Sequence, residues 1–236
     1  MKMKNFLALG LAVLFAVGMV SCSHENDEPV PVNPDTPVSP GGGGGTIPTG
    51  DTEAAKRYTA VDMGLSVKWA DRNLEASSPE DWGAYYAWGE INAKSYYSLS
   101  NYLWYQDGEY IAPGGESYIQ GTANDAVRMK LGGTWRMPMK NEIDALVRQC
   151  TWTWTRRNGV DGYQVTAPNG NSIFLPAAGY RSGTDTMGRG QVGAYWSSSR
   201  YSGKKSHANN LYFSFESYRI DVTDRFMGLV VRPVKD

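Results

Sequence analysis

The sequence predicts an α+β domain, on three observations. Over residues 140–150 the apolar side chains Ile143, Leu146, Val147 and Cys150 recur at steps of three and four, the spacing of one helix face. Thr151-Trp152-Thr153-Trp154-Thr155 alternates strictly, as does Leu211, Phe213, Phe215, which is the two-residue period of a strand. Pro168-Asn169-Gly170-Asn171 separates two apolar runs, 163–167 and 172–175, and Asn-Gly in that position signals a hairpin. Strands, then two helices, then a run of antiparallel strands is the order that results.

Each element has its own reason. Val61-Asp62-Met63-Gly64-Leu65 reads as a turn, and 66–70 as the strand after it. Residues 73–81 read as loop, with Ser78-Pro79 as punctuation, and 84–89 as a second short strand. The Tyr-rich stretch 96–118 has no clean period and reads as loop. Residues 122–131 predict a short helix with Ala126, Val127 and Leu131 on one face, ended by Gly132-Gly133. Pro138 stands just before the 140–150 helix, where a proline is tolerated. Residues 179–193 hold five Gly and no period, so they read as a long loop. In the last strands Leu211, Phe213 and Phe215 are the expected core set, and Asn210, Tyr212, Ser214 and Glu216 fall on the opposite face. Ile220 and Val222 alternate in the same way with Arg219, Asp221 and Thr223. That second row is either a solvated sheet face or a recognition surface.

Of the 236 residues, the first part is not expected to fold. Lys2 and Lys4 precede an apolar run from Phe6 to Val20, too short for a comfortable membrane span but fit for a signal peptide over 1–21. Residues 29–50 hold six prolines and the run from Gly41 to Gly45, a composition of extended and flexible linker. The expected division is therefore signal peptide 1–21, disordered linker 22–56 and a domain at 57–236, roughly 180 residues and enough for one core. From Arg57 onward there are 20 Lys plus Arg against 18 Asp plus Glu, and no basic stripe that would suit nucleic acid. All eight Trp and fifteen Tyr lie in that part, a load suited to a core and to a contact surface.

Little reactive chemistry is spelled out. Cys22 and Cys150 are the two cysteines, and Cys150 ends an apolar helix face, the setting of a small buried residue. His207 is the one histidine of the domain, so neither a His-rich zinc site nor a serine triad is indicated. Asp81 with Glu90, or Asp221 with Asp224, would be the carboxylate pairs of a glycan hydrolase, though their spacing does not single them out. Trp152 and Trp154 are a sugar-stacking pair or, as same-face strand residues usually are, core. No catalytic residue, metal or cofactor is assigned. Aromatic and arginine side chains anchor most contact surfaces. On that ground Tyr201, Tyr212, Tyr218, Arg219, Arg225 and Phe226 are the candidate anchors.

Met19-Val20-Ser21-Cys22 resembles the lipobox of bacterial lipoproteins, which implies acylation of Cys22 and attachment to the membrane by lipid. Ser23-His24-Glu25-Asn26-Asp27-Glu28 resembles the acidic signal of surface-exposed lipoproteins of Bacteroidetes, which implies the outer face of the outer membrane. Trp135-Arg136-Met137-Pro138 with Glu142, Ile143 and Leu146 resembles C-type-lectin-like domains of the bacterial type. Several further blocks are similar to the Fibrobacter succinogenes major paralogous domain family. They are Asp62-Met63-Gly64-Leu65-Ser66-Val67-Lys68-Trp69-Ala70, Asn169-Gly170-Asn171-Ser172-Ile173-Phe174-Leu175-Pro176-Ala177-Ala178-Gly179, Tyr195-Trp196-Ser197-Ser198-Ser199 and Val231-Arg232-Pro233-Val234. Met139 departs from the pattern, since a Thr that caps the helix is usual there, and loss of such a cap costs about 1 kcal/mol.

The resemblance covers about residues 58–234. It implies a compact fold whose ends meet and one loop-rich face that binds a protein or glycan. Some relatives are diversified by retroelements in this C-terminal region. The positions here would be Tyr201, His207, Asn210, Tyr212, Ser214, Tyr218, Asp221 and Thr223, with His207 otherwise an ordinary loop residue. Lys204, Lys205 and Met227 fit that scheme less well. The sugar-coordinating calcium motifs of animal lectins are absent from the sequence. A surface hydrolase and a structural subunit of a surface assembly are the alternative readings.

Overall fold

A computed structural model describes residues 45–113 and 117–236. The export segment, Cys22 and the linker up to residue 44 lie outside the described residues. Within them the chain is mostly antiparallel sheet with two α-helices, as an α+β reading requires.

One sheet joins the two ends of the domain. β1 (Ala60–Val61) pairs with β2 (Lys68–Ala70), β2 with β14 (Val234–Lys235), and β14 with β5 (Trp135–Arg136), all antiparallel. Between β1 and β2 the Asp62 carboxylate accepts the Gly64 N–H at 2.8 Å, and Gly64 takes φ 64°, where only glycine sits without cost. The Asp62 carbonyl accepts the amides of Asn169 (2.9 Å) and Asn171 (2.7 Å), so the opening turn is pinned to a hairpin more than 100 residues away. The linker expectation fails at its end. Asp51 bridges to Gly132, the Thr52 N–H donates to the Leu131 carbonyl at 2.9 Å, and Ala55 is buried in a 3-10 turn, Ala55–Arg57. The packed chain thus starts before residue 57.

Two short hairpins occupy stretches that the sequence reads as loop. β3 (Tyr105–Gln106) and β4 (Glu109–Tyr110) turn at Asp107-Gly108, both with positive φ. β9 (Tyr180–Ser182) and β10 (Asp185–Met187) turn at Gly183-Thr184. Residues 84–89, expected as a strand, make one isolated bridge, Tyr86 to Leu229, and otherwise run outside the sheets.

The helices form where expected, the first shorter at its start. α1 (Ala126–Leu131) is capped by Asp125 and stopped by Gly132 at φ 66°. α2 (Lys140–Gln149) begins at Met139, which offers no side-chain cap. The missing acceptor comes from across the fold, as the Ser199 hydroxyl takes the Lys140 N–H at 3.1 Å. The Met139 N–H is taken by Glu142 at 2.7 Å.

β6 (Thr151–Arg157), β7 (Val160–Thr166) and β8 (Ser172–Pro176) form a second sheet. β11 (Val192–Arg200), β12 (His207–Ser214) and β13 (Ser217–Asp224) form a third, with α2 against it. This third sheet separates two cores. Leu211, Phe213 and Tyr195 join Trp69, Leu146, Tyr163 and Leu175 on one side. Ala194, Trp196 and Ala208 join Trp88, Leu131, Trp135 and Leu229 on the other. Phe215, expected as core, is 64% exposed, because it sits in the two-residue turn between β12 and β13 rather than on the strand.

Gly193 shows how tightly the first core closes. It pairs with Phe213, whose ring is set by Tyr195 (centroids 5.7 Å), Tyr163 (5.4 Å) and Trp152 (6.3 Å). A Cβ at Gly193 would stand 2.0 Å from that ring. Gly193→Ala is expected to cost about 1–3 kcal/mol in urea denaturation, since the ring has no free side to move to. An unchanged midpoint would show that the ring relaxes.

Candidate functional site

The site is built on the β12–β13 hairpin. A two-residue turn pairs Ser214 with Ser217, and this register places Tyr212 opposite Arg219, Asn210 opposite Asp221 and Ala208 opposite Thr223. Strand alternation therefore puts Tyr212, Arg219, Asp221 and Thr223 on one face. The Arg219 guanidinium lies 4.9 Å from the Tyr212 ring centre, and its Nη2 donates to Asp221 Oδ2 at 2.6 Å. Cation and ring hold each other while the arginine stays about half exposed. Asn210 lies beneath, fully buried, its Nδ2 donating to the Thr223 hydroxyl at 2.9 Å and its Oδ1 without a partner among the described residues.

Beside this row is a cleft of about 280 Å³. Tyr212, Thr223, His207 and Asp224 supply its polar wall, and Tyr180, Ala194, Met227 and Leu229 its apolar wall. His207 Nδ1 is 2.8 Å from the Ser206 hydroxyl and 3.4 Å from Asp224 Oδ1. Both neighbours meet the same ring nitrogen. A relay needs the carboxylate on one nitrogen and the nucleophile on the other, so these three do not form one. The cleft offers stacking, hydrogen bonds and paired charge.

Not every candidate side chain belongs to this place. Tyr218 is opposite Phe213, on the other face of the hairpin, and stacks on Trp152 at 4.6 Å and 11°. Arg225 is fully buried, donating to the Tyr102 hydroxyl (2.9 Å) and the carbonyls of Lys205 (3.0 Å) and Ile111 (2.7 Å), with its guanidinium 4.9 Å from the Trp88 ring centre. Burial lowers its pKa, yet a guanidinium stays charged at neutral pH. Arg225 is therefore a fold residue and not a contact. Phe226 packs against the first core, also away from the cleft. Ser214 faces a separate groove with Trp154 and Phe215, and Tyr201 lines another cavity with Lys140 and Arg200. Tyr180 and Met227 are cleft residues outside the set of expected contacts, and Asp224, a candidate only as a catalytic carboxylate, joins them. Tyr180 lies on a strand inside the Gly-rich stretch, where alternation gives no signal.

The carboxylates weighed for hydrolysis are committed elsewhere. Asp81 accepts from Ser77 at 2.8 Å, buried Glu90 pairs with Lys94 at 2.8 Å, Asp221 holds Arg219 and Asp224 faces His207. Cys150 is half-buried, and burial raises its thiol pKa, opposite to the shift of a reactive cysteine. Trp152 is core, whereas Trp154 is partly open to the groove beside Phe215. Among the described residues no group of three His, Cys, Asp or Glu converges as metal ligands do.

No family model matches this chain. Searches of curated proteins and of solved structures give no match either.

Proposed function

We propose that the chain is a binding module that takes a protein or glycan at the β12–β13 face. On this reading it has the C-type-lectin-like fold of the Fibrobacter succinogenes major paralogous domain family and is held at the cell surface by acylated Cys22. The meeting of both domain ends in one sheet supports the fold assignment. The observation that carries the function is the row Tyr212, Arg219, Asp221 and Thr223 beside a cleft that also takes in His207. All five of these side chains come from two adjacent strands, so their spacing is set by backbone pairing rather than by a loop. A rigid row of ring, cation, carboxylate and hydroxyl next to a partly apolar cleft suits recognition without turnover. Cys22, the acidic residues after it and the proline-rich stretch support attachment through lipid at a distance from the membrane.

Tyr212→Ala combined with Arg219→Gln tests the site. On a glycan and protein array the parent is expected to bind a defined ligand. The double variant is expected to lose about tenfold or more in affinity, the range of a lost aromatic or arginine anchor. Arg219 is exposed, but the Tyr212 ring also packs on the second core, so the melting temperature of the double variant is measured alongside and Arg219→Gln alone serves as the variant that leaves packing intact. Undiminished binding with intact folding would remove this face from consideration.

A further inference from the structure

A second cavity, of about 350 Å³, lies where the end of β11 meets the start of α2. It shares no lining residue with the β12–β13 cleft. Lys140 and Asn141 come from the first turn of α2, Ser199 and Arg200 from the end of β11, Tyr201 from the loop beyond, and Asn209 from β12. Every one is polar or aromatic, two are cations, and no carboxylate lines the cavity among the described residues. Lys204 and Lys205 stand exposed a few residues further along the same loop. In a chain of net charge −1, this is a local excess of positive charge.

The walls are fixed. Ser199 holds the first turn of α2 through the Lys140 N–H at 3.1 Å. Asn209 is 5% exposed, and its Nδ2 donates to the carbonyls of Ser199 (3.2 Å) and Arg200 (3.0 Å). Those two bonds fix the Asn209 amide in the cavity wall. An occupant complementary to this lining brings negative charge for Lys140 and Arg200 and hydroxyl groups for the amides of Asn141 and Asn209. A simple anion brings no donor. A sugar bearing carboxylate or sulfate brings both, because its hydroxyls donate, and its flat face fits the half-exposed Tyr201 ring at the rim.

We infer that this cavity is a subsite for an acidic glycan, separate from the β12–β13 cleft and independent of the function proposed for it. The test is calorimetric titration of the full chain with oligogalacturonate, with heparin-derived oligosaccharides, with neutral dextran and with a single-stranded oligonucleotide. One or both acidic glycans should bind, more weakly as salt rises, and dextran should not. The two acidic probes separate carboxylate from sulfate as the charge that is read. Lys140→Gln with Arg200→Gln should weaken binding by about tenfold or more, as loss of charged hydrogen bonds does. Lys140→Arg with Arg200→Lys should largely retain binding, which separates lost charge from a disturbed fold. Arg219→Gln should leave it unchanged. Failure of both acidic glycans to bind would overturn the inference, as would undiminished binding by the charge-removed variant. Equal or tighter binding of the oligonucleotide would overturn the glycan class.

Discussion

Arg232→Met is expected to destabilise the domain by on the order of 4 kcal/mol, a large share of what holds a typical domain together. Arg232 is 1% exposed and ties three separate segments. Its Nε donates to Asn73 Oδ1 at 2.8 Å, Nη1 to the Ala70 carbonyl at 3.0 Å and Nη2 to the Phe174 carbonyl at 2.7 Å. None of these partners is a carboxylate, so the guanidinium is held by neutral dipoles, and burial lowers its pKa. Methionine fills much of the volume but takes a donor from three acceptors around a buried site. Each such loss costs about 1–3 kcal/mol, more than the desolvation relieved by removing the charge. Arg232→Lys should fall between the two, since one ammonium cannot serve three diverging acceptors. Urea denaturation followed by tryptophan fluorescence measures the order. A Met variant within about 1 kcal/mol of the parent would mean that the three acceptors find water or each other.

Asp125→Ala is expected to be of similar size. Asp125 is fully buried and its two oxygens accept four backbone N–H groups. Those of Val127 (2.9 Å) and Arg128 (3.0 Å) open α1, and those of Gly121 (2.8 Å) and Met137 (2.9 Å) belong to the chain before and after it. Alanine strands all four, for a loss of about 4 kcal/mol or more. Asparagine keeps one oxygen and should lose less. Burial pushes the carboxyl up to about 6 against the pull of those donors. A raised carboxyl pKa means the folded chain binds the proton more tightly than the unfolded one. Stability from this group is therefore gained as pH falls through about 6 and is fully present below the unfolded value of about 4. Relative to Asp125→Asn, which does not titrate, the parent should gain about 2 kcal/mol between neutral pH and about pH 4.5. A parallel pH dependence in the two proteins would place the pKa near its ordinary value.

Much of the frame is legible in the residues. α2 follows from the spacing of Ile143, Leu146 and Val147, and the β7–β8 turn follows from Asn169-Gly170. Asn158-Gly159, with φ of 49° and 82°, is an equally strong two-residue turn between β6 and β7. Its flanks, Arg156, Arg157 and Asp161, are charged and give no strand signal in the sequence. The site was half legible. Alternation on β12 correctly separates Tyr212 from Leu211 and Phe213. Residue type alone groups Tyr218 with Tyr212, whereas strand parity carried through the turn separates them. A two-residue connection at Phe215-Glu216 sets Tyr218 across from Phe213 and so inside the aromatic cluster. The rule that arginines anchor contact surfaces names Arg225 and fails there. Only the folded carbonyls and rings around it reveal a buried slot for a cation.

The two-sidedness of the β12–β13 hairpin has an evolutionary consequence. On β13 and near the turn end of β12, alternate positions answer to the interior and the positions between to whatever docks outside, while Ala208 and Asn210 further along β12 are buried on that second face too. Mutations at Arg219 and Asp221 can accumulate without disturbing Leu211 and Phe213, which carry the packing, whereas Tyr212 also packs on the second core and Thr223 holds buried Asn210. Specificity can thus drift, or be rewritten, while the scaffold stays under purifying selection.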